Sequence, residues 1–141
     1  MILLDTNVLS ETLRPTPDRS VAAWLSRQPR SALFTSTITR AELLYGVRIL
    51  PEGRRRTRLL EAVIPVFESG FAGRVLAFDN DAADAYSEIA SSRRAAGRPI
   101  SQLDAMIAAI ARSRGAVLAT RNTKDFEGCG VEVTDPWAAK G

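Results

Sequence analysis

Short apolar runs alternate with longer amphipathic stretches along the chain, and no two of the apolar runs are joined by a hairpin turn signal. Strands separated in this way pair in parallel through helical crossovers, so the spacing predicts a parallel sheet covered by helices on both faces. Residues 1–4 form the first run, ending at Asp5, and residues 6–13 read as the helix it feeds. Pro15 and Pro17 end that helix. An amphipathic segment over residues 18–27 leads to a second strand over residues 31–36. Residues 39–50 and an arginine-rich helix, which starts near Gly53 and bends or stops before Pro65, form a helical hairpin. Residues 74–78 are the third strand. Asp79 caps a helix running to about Gly97, Ser101 caps another ending near Gly115, and residues 116–119 and 131–133 are the last strands. The expected architecture is a three-layer α/β/α sandwich around a mainly parallel sheet of 4–5 strands, with residues 1–141 as one domain.

Composition removes several chemistries. The chain has no histidine, and Cys129 is its only cysteine, so it cannot build a Ser-His-Asp triad, a Cys-His pair, a multi-cysteine zinc site or an internal disulfide. Acid–base or metal chemistry must use carboxylates. Only Lys124 and Lys140 among the 19 basic residues are lysines. Arginine grips a phosphate with two donors at once, although GC-rich coding produces the same bias. No apolar run is long enough to span a bilayer and no charged leader precedes Asp5, so the chain is expected in the cytoplasm, away from membranes.

Several carboxylates sit where ligands bind in open α/β sheets. Asp5 lies at the carboxyl end of the first strand, where it is equally suited to cap the following helix. Glu42 completes Thr39-Arg40-Ala41-Glu42, which also fits a capping box. Asp104 in Ser101-Gln102-Leu103-Asp104 fits the same pattern, but its helix continues Ala-Met-Ile-Ala-Ala-Ile-Ala and is apolar on nearly every side. That helix is expected to be buried, and an ionised carboxylate at its interior end then needs a cation. Asn122 and Asp125 follow the fourth strand, in what is otherwise an ordinary polar loop. If these groups converge, their mutual repulsion calls for a cation, and all-oxygen ligation selects Mg²⁺ or Mn²⁺. Phosphodiester hydrolysis is the chemistry that follows.

Four segments together resemble the PIN domains, and within them the VapC and FitB toxins of bacterial toxin–antitoxin pairs. They are residues 1–10 (MILLDTNVLS), residues 36–43 (STITRAEL) with Tyr45-Gly46, residues 101–104 (SQLD) with the alanine-rich helix, and residues 118–122 (LATRN). The resemblance implies a metal-dependent endoribonuclease in which Asp5 and Asp104 are the principal ligands and Glu42 completes the acidic cluster. It makes Asn7 and Thr120 supporting residues. Many relatives carry an aspartate where this chain has Asn122, which favours one ion over two, with Asp125 as a substitute ligand or merely the end of the loop. It also implies a cognate antitoxin, a toxin homodimer, hetero-oligomers of the pair, and operator DNA reached through the antitoxin.

On this reading the ion polarises an RNA phosphate while Glu42 orients or deprotonates water. Arg54, Arg55, Arg56 and Arg58, or Arg93, Arg94 and Arg98, either track the RNA backbone or form solvated helix faces. Val21, Trp24 and Leu25, or Leu44 and Val47, serve either the core or a partner interface. A second class stays open, a catalytically weak PIN-fold module that binds its antitoxin's basic side chain and acts with it as a DNA-bound regulator.

Overall fold

The computed structural model describes residues 1–138. Five strands, β1 (Ile2–Leu4), β2 (Leu33–Ser36), β3 (Val75–Leu76), β4 (Val117–Ala119) and β5 (Val133–Thr134), form one sheet in the order β3-β2-β1-β4-β5. Every neighbouring pair is parallel. The connecting helices are α1 (Thr6–Thr12), α2 (Arg19–Ser26), α3 (Thr37–Arg48), α4 (Arg54–Pro65), α5 (Asn80–Ala95) and α6 (Gln102–Arg114).

Alternation along the strands separates the layers. Leu3 and Leu118 face one side, in a core with Ala82, Ala85 and Ile89 of α5 and Ile107 and Ile110 of α6. Their neighbours Leu4 and Ala119 face the other side, against Val8 of α1 and Val21 and Trp24 of α2. A third cluster joins Leu9 of α1 to Val47 of α3, Val63 of α4 and Phe67. Leu3, Ile107, Ile110 and Leu118 are fully buried, and each stabilises the fold by roughly 1.5–3 kcal/mol. The helix expected to be apolar on nearly every side is buried at Ala105 and from Ile107 to Ala111, and Gly115, at φ 64°, closes it in the left-handed region.

Several boundaries differ from expectation for physical reasons. β3 and β5 have two residues each because they are the sheet's edges, with a partner on one side only. α3 starts at Thr37, since the Ser36 hydroxyl caps it by accepting from Thr39 N at 3.1 Å. That displaces the Thr39–Glu42 capping box and frees Glu42 for other contacts. α4 runs through Pro65 instead of stopping before it. Beyond Pro65 the chain continues as a wider π turn, Val66–Gly70, in which Phe71 N donates to Val66 O at 2.8 Å. Val21, Trp24 and Val47 lie in the core, which removes them as free partner surface. No described helix is long and apolar enough to cross a membrane.

Candidate active site

β1 is the central strand, and Asp5 stands where it hands over to α1. The capping reading of this residue holds, and only one of its oxygens serves it. Oδ1 caps α1 by accepting from Thr6 N at 2.8 Å. Oδ2 accepts from Thr120 Oγ1 at 2.7 Å and from Asn7 Nδ2 at 3.3 Å. The residue is only 4% exposed, and no cationic side chain pairs with it among the described residues. Burial therefore pushes the Asp5 carboxyl up from 3.8 to about 6, against the downward pull of its bonds to Thr120 and Thr6. The charges of Asp104 and Glu42 push it further in the same direction.

Glu42 reaches the same place from α3 because α3 follows β2, the strand beside β1. Thr6 Oγ1 donates to Glu42 Oε1 at 2.8 Å and lies 3.0 Å from Thr39 Oγ1, which accepts from Ser36 Oγ at 3.5 Å. Since the Thr6 proton goes to Glu42, Thr39 must donate to Thr6. The chain of hydroxyls from Ser36 through Thr39 and Thr6 thus runs in one direction, toward the carboxylate. Thr6, Thr39 and Ser36 lie within the recognised segments, but nothing in the sequence assigns them a role at Glu42. Their one clue is the parallel register, Leu3 beside Phe34, which when extended brings Ser36 opposite Asp5.

Asp104 arrives from the first turn of α6, whose Ser101 cap accepts from Asp104 N at 3.3 Å. The expectation that Asp104 is the buried carboxylate is corrected. Residues 101–103 are exposed, Asp104 is half-buried, and full burial begins one residue later at Ala105. The carboxylate left buried without a cation is Asp5.

Asp5, Thr6, Asn7, Ser10, Glu42, Asp104 and Asn122 line a cleft of about 300 Å³. Asn7 ties its walls together, with Nδ2 on Asp5 and Oδ1 accepting from Arg121 N at 3.3 Å, while Thr120 is fully buried behind Asp5. Asp125 does not line this cleft. It is exposed and faces an adjoining cavity of about 230 Å³ shared with Arg93, Ser101 and Asp104. Arg54, Arg55, Arg56 and Arg58 line neither cavity, and Arg56 lies 3.8 Å from Glu52. Arg93 is buried, donating to the carbonyls of Arg98, Asp125 and Glu127 at 2.7, 2.9 and 2.9 Å, so it is a loop anchor and not a surface cation. Arg98 pairs with Glu127 at 3.0 Å.

The donor set suits a hard divalent cation, because the polar side chains lining the cleft are carboxylates, hydroxyls and amides, and the buried carboxylate has no positive partner among the described residues. Among the described residues no three acidic or cysteine side chains enclose an ion by themselves. Such an ion would keep water in its shell, as Mg²⁺ commonly does. A separate groove of about 320 Å³ between α1, α3 and α4 is apolar, and its one charged residue, Arg14, already pairs with Glu11 at 3.3 Å. It is unsuited to acid–base chemistry.

Comparison with known proteins agrees with this geometry. The family model for the PIN domain matches residues 2–128. A protein named VapC ribonuclease Y4jK, from Sinorhizobium fredii, is 43% identical over 97% of this chain and 98% of its own. Toxin FitB of Neisseria gonorrhoeae is 41% identical over 97% of this chain and 99% of its own. The solved structure of FitAB bound to an IR36 DNA fragment superposes with a TM-score of 0.91 at 40% identity, covering 100% of this chain and 99% of that one. With its parallel sheet, its acidic cleft at the end of β1 and whole-length similarity to these proteins, the chain belongs to the PIN-domain family, alongside the VapC and FitB toxins.

Proposed function

We propose that this chain is a Mg²⁺- or Mn²⁺-dependent endoribonuclease and the toxin of a toxin–antitoxin pair. The observation that carries the reading is Asp5. This carboxylate is 4% exposed, is paired with no cation among the described residues, and lines an open cleft with Glu42 and Asp104. Such a group destabilises the fold unless a cation compensates it, and proteins retain that kind of penalty at functional sites.

Asp5 and Asp104 would hold the ion, with Asn122 at the rim as a neutral oxygen donor. When bound, the ion supplies Lewis acidity toward a phosphate and makes water more acidic. The protein's own groups do the rest. Asp5 is oriented by Thr6, Asn7 and Thr120, which occupy both lone pairs of Oδ2 and one of Oδ1, so the remaining Oδ1 lone pair would serve the ion without further reorganisation of the side chain. Glu42 keeps Oε2 free while the hydroxyl chain holds Oε1, leaving one oxygen to accept a proton from the attacking water. With no histidine in the chain, Glu42 is the carboxylate placed for that role.

The resemblance to VapC and FitB further supports an antitoxin partner and operator DNA reached through it. The apolar groove bounded by Leu13, Leu43 and Leu59, with Val47 buried at its base, offers a partner an apolar surface beside the cleft, since Ser10 lines both.

The test is calorimetric titration with Mn²⁺, run beside an RNA cleavage assay, on wild type and Asp104→Asn. The wild type is expected to bind and cut, and the variant to lose both while remaining folded. Ion binding without cleavage by the wild type would instead identify the catalytically weak binding module.

A further inference from the structure

An acidic cleft repels the phosphodiester it acts on, so a cation nearby must hold the RNA backbone against it. The cations of this chain divide by what already engages them. Arg14, Arg40, Arg56, Arg98, Arg112 and Arg114 each pair with a carboxylate. Arg74 and Arg93 are occupied by backbone carbonyls. Among the described residues, the charged groups of Arg19, Arg27, Arg30, Arg48, Arg54, Arg55, Arg58, Arg94, Arg121 and Lys124 have neither an ion pair nor a hydrogen bond, and two of these, Arg121 and Lys124, stand beside the acidic cleft. Both line a polar cavity of about 340 Å³ with Asn122, Thr123 and Asp125. Asn122 also lines the acidic cleft, so the basic and acidic cavities share a wall.

Arg121 is held in place before any ligand arrives. Its guanidinium carbon sits 5.0 Å from the centroid of the Trp137 ring, and Trp137 packs against the core cluster of Leu4 and Trp24. Its backbone N–H donates to Asn7 Oδ1 at 3.3 Å, and the next N–H, of Asn122, donates to Thr120 Oγ1 at 3.1 Å. At the far end of the loop the buried Arg93 fixes the carbonyls of Asp125 and Glu127. A guanidinium held over an aromatic face by cation–π attraction keeps its N–H donors available, and a fixed one gives up little entropy when it binds a phosphate.

We propose that the loop carrying Arg121 and Lys124 is the subsite that grips the phosphate backbone of single-stranded RNA beside the scissile bond, with Arg121 the principal contact. The inference rests on the ribonuclease reading above. It moves the electrostatic grip from the arginines of α4, which line neither cavity, to the rim of the cleft.

The experiment measures binding of a labelled single-stranded oligoribonucleotide by fluorescence anisotropy, with chelator present and in the non-cutting Asp5→Asn background, from low to high salt. Arg121→Ala is expected to weaken binding on the order of fivefold at low salt and to reduce the slope of log affinity against log salt by about 0.7, one phosphate's share for a single strand. Lys124→Ala is expected to remove a similar increment. Arg121→Lys should keep the slope yet lose affinity, since charge remains but the flat stack and forked donors do not. The pair Arg54→Ala with Arg55→Ala should change neither quantity. Wild-type affinity and slope in a folded Arg121→Ala protein, or an equal loss from the α4 pair, would overturn the subsite while RNA cleavage by the parent chain left the ribonuclease reading standing. A parent chain that cuts no RNA would overturn that reading and this one with it.

Discussion

Replacing Asp5 by Asn should make the metal-free protein more stable at neutral pH while abolishing RNA cleavage. The folded carboxyl titrates near 6 against an ordinary value of 3.8, and this difference corresponds to about 3 kcal/mol against the ionised fold. Asn keeps an oxygen for Thr6 N but presents an amide N–H₂ where Oδ2 now accepts from Thr120 and Asn7, which costs about 1–2 kcal/mol. The net gain is then about 1–2 kcal/mol above pH 7. Because the folded value is raised, the penalty is absent below the unfolded value of 3.8, grows as pH rises through the window, and is complete above about 6. The wild type should thus lose stability from this group between about pH 4 and 6, and the variant should not. Urea unfolding with chelator present, across that range, reads the difference directly. Added Mg²⁺ should stabilise the wild type alone and shrink the gap. A variant less stable than wild type at neutral pH, or a difference that does not change with pH, would refute the assignment of Asp5 as an uncompensated buried charge.

Other substitutions probe the surrounding groups. Thr6→Val removes the donor to Glu42 while keeping the side chain's shape, and should lower kcat on the order of tenfold with KM little changed, with Thr6→Ser restoring it. Arg93→Met strips a buried guanidinium from the carbonyls it satisfies, and thermal or urea unfolding should show a loss of about 3–5 kcal/mol. Asn122→Asp adds a carboxylate to the cleft rim and should raise Mn²⁺ affinity several-fold by calorimetry, roughly 1 kcal/mol.

The central strands were legible because β1 and β4, buried on both faces, must be continuous apolar runs, and Asp5 followed from standing at the end of one. Residues 74–78 and 131–133 look like strands locally, but pairing on one side alone leaves only Val75–Leu76 and Val133–Thr134, so β3 is shorter at both ends and β5 starts two residues later and ends one residue later than expected. The apolar pattern of α6 showed that its body is buried but not where burial begins, which is why Asp104 was misjudged by a single residue. Glu42 fitted a capping box by spacing, yet the cap belongs to Ser36, one strand-end earlier. Its real partner, Thr6, lies 36 residues away and becomes a neighbour only when β2 docks on β1. The density of arginines in α4 likewise did not show where they stand, since none of Arg54, Arg55, Arg56 and Arg58 lines the acidic cleft.

The most direct measurement is RNA cleavage by chelator-treated wild-type, Asp5→Asn and Asp104→Asn proteins as Mg²⁺ or Mn²⁺ is added back, with circular dichroism confirming that each is folded. Wild type is expected to be silent without the ion and to gain activity with it, while both variants stay silent throughout. Undiminished cleavage in chelator, or wild-type rates from a folded Asp5→Asn protein, would contradict an acidic, ion-dependent ribonuclease site.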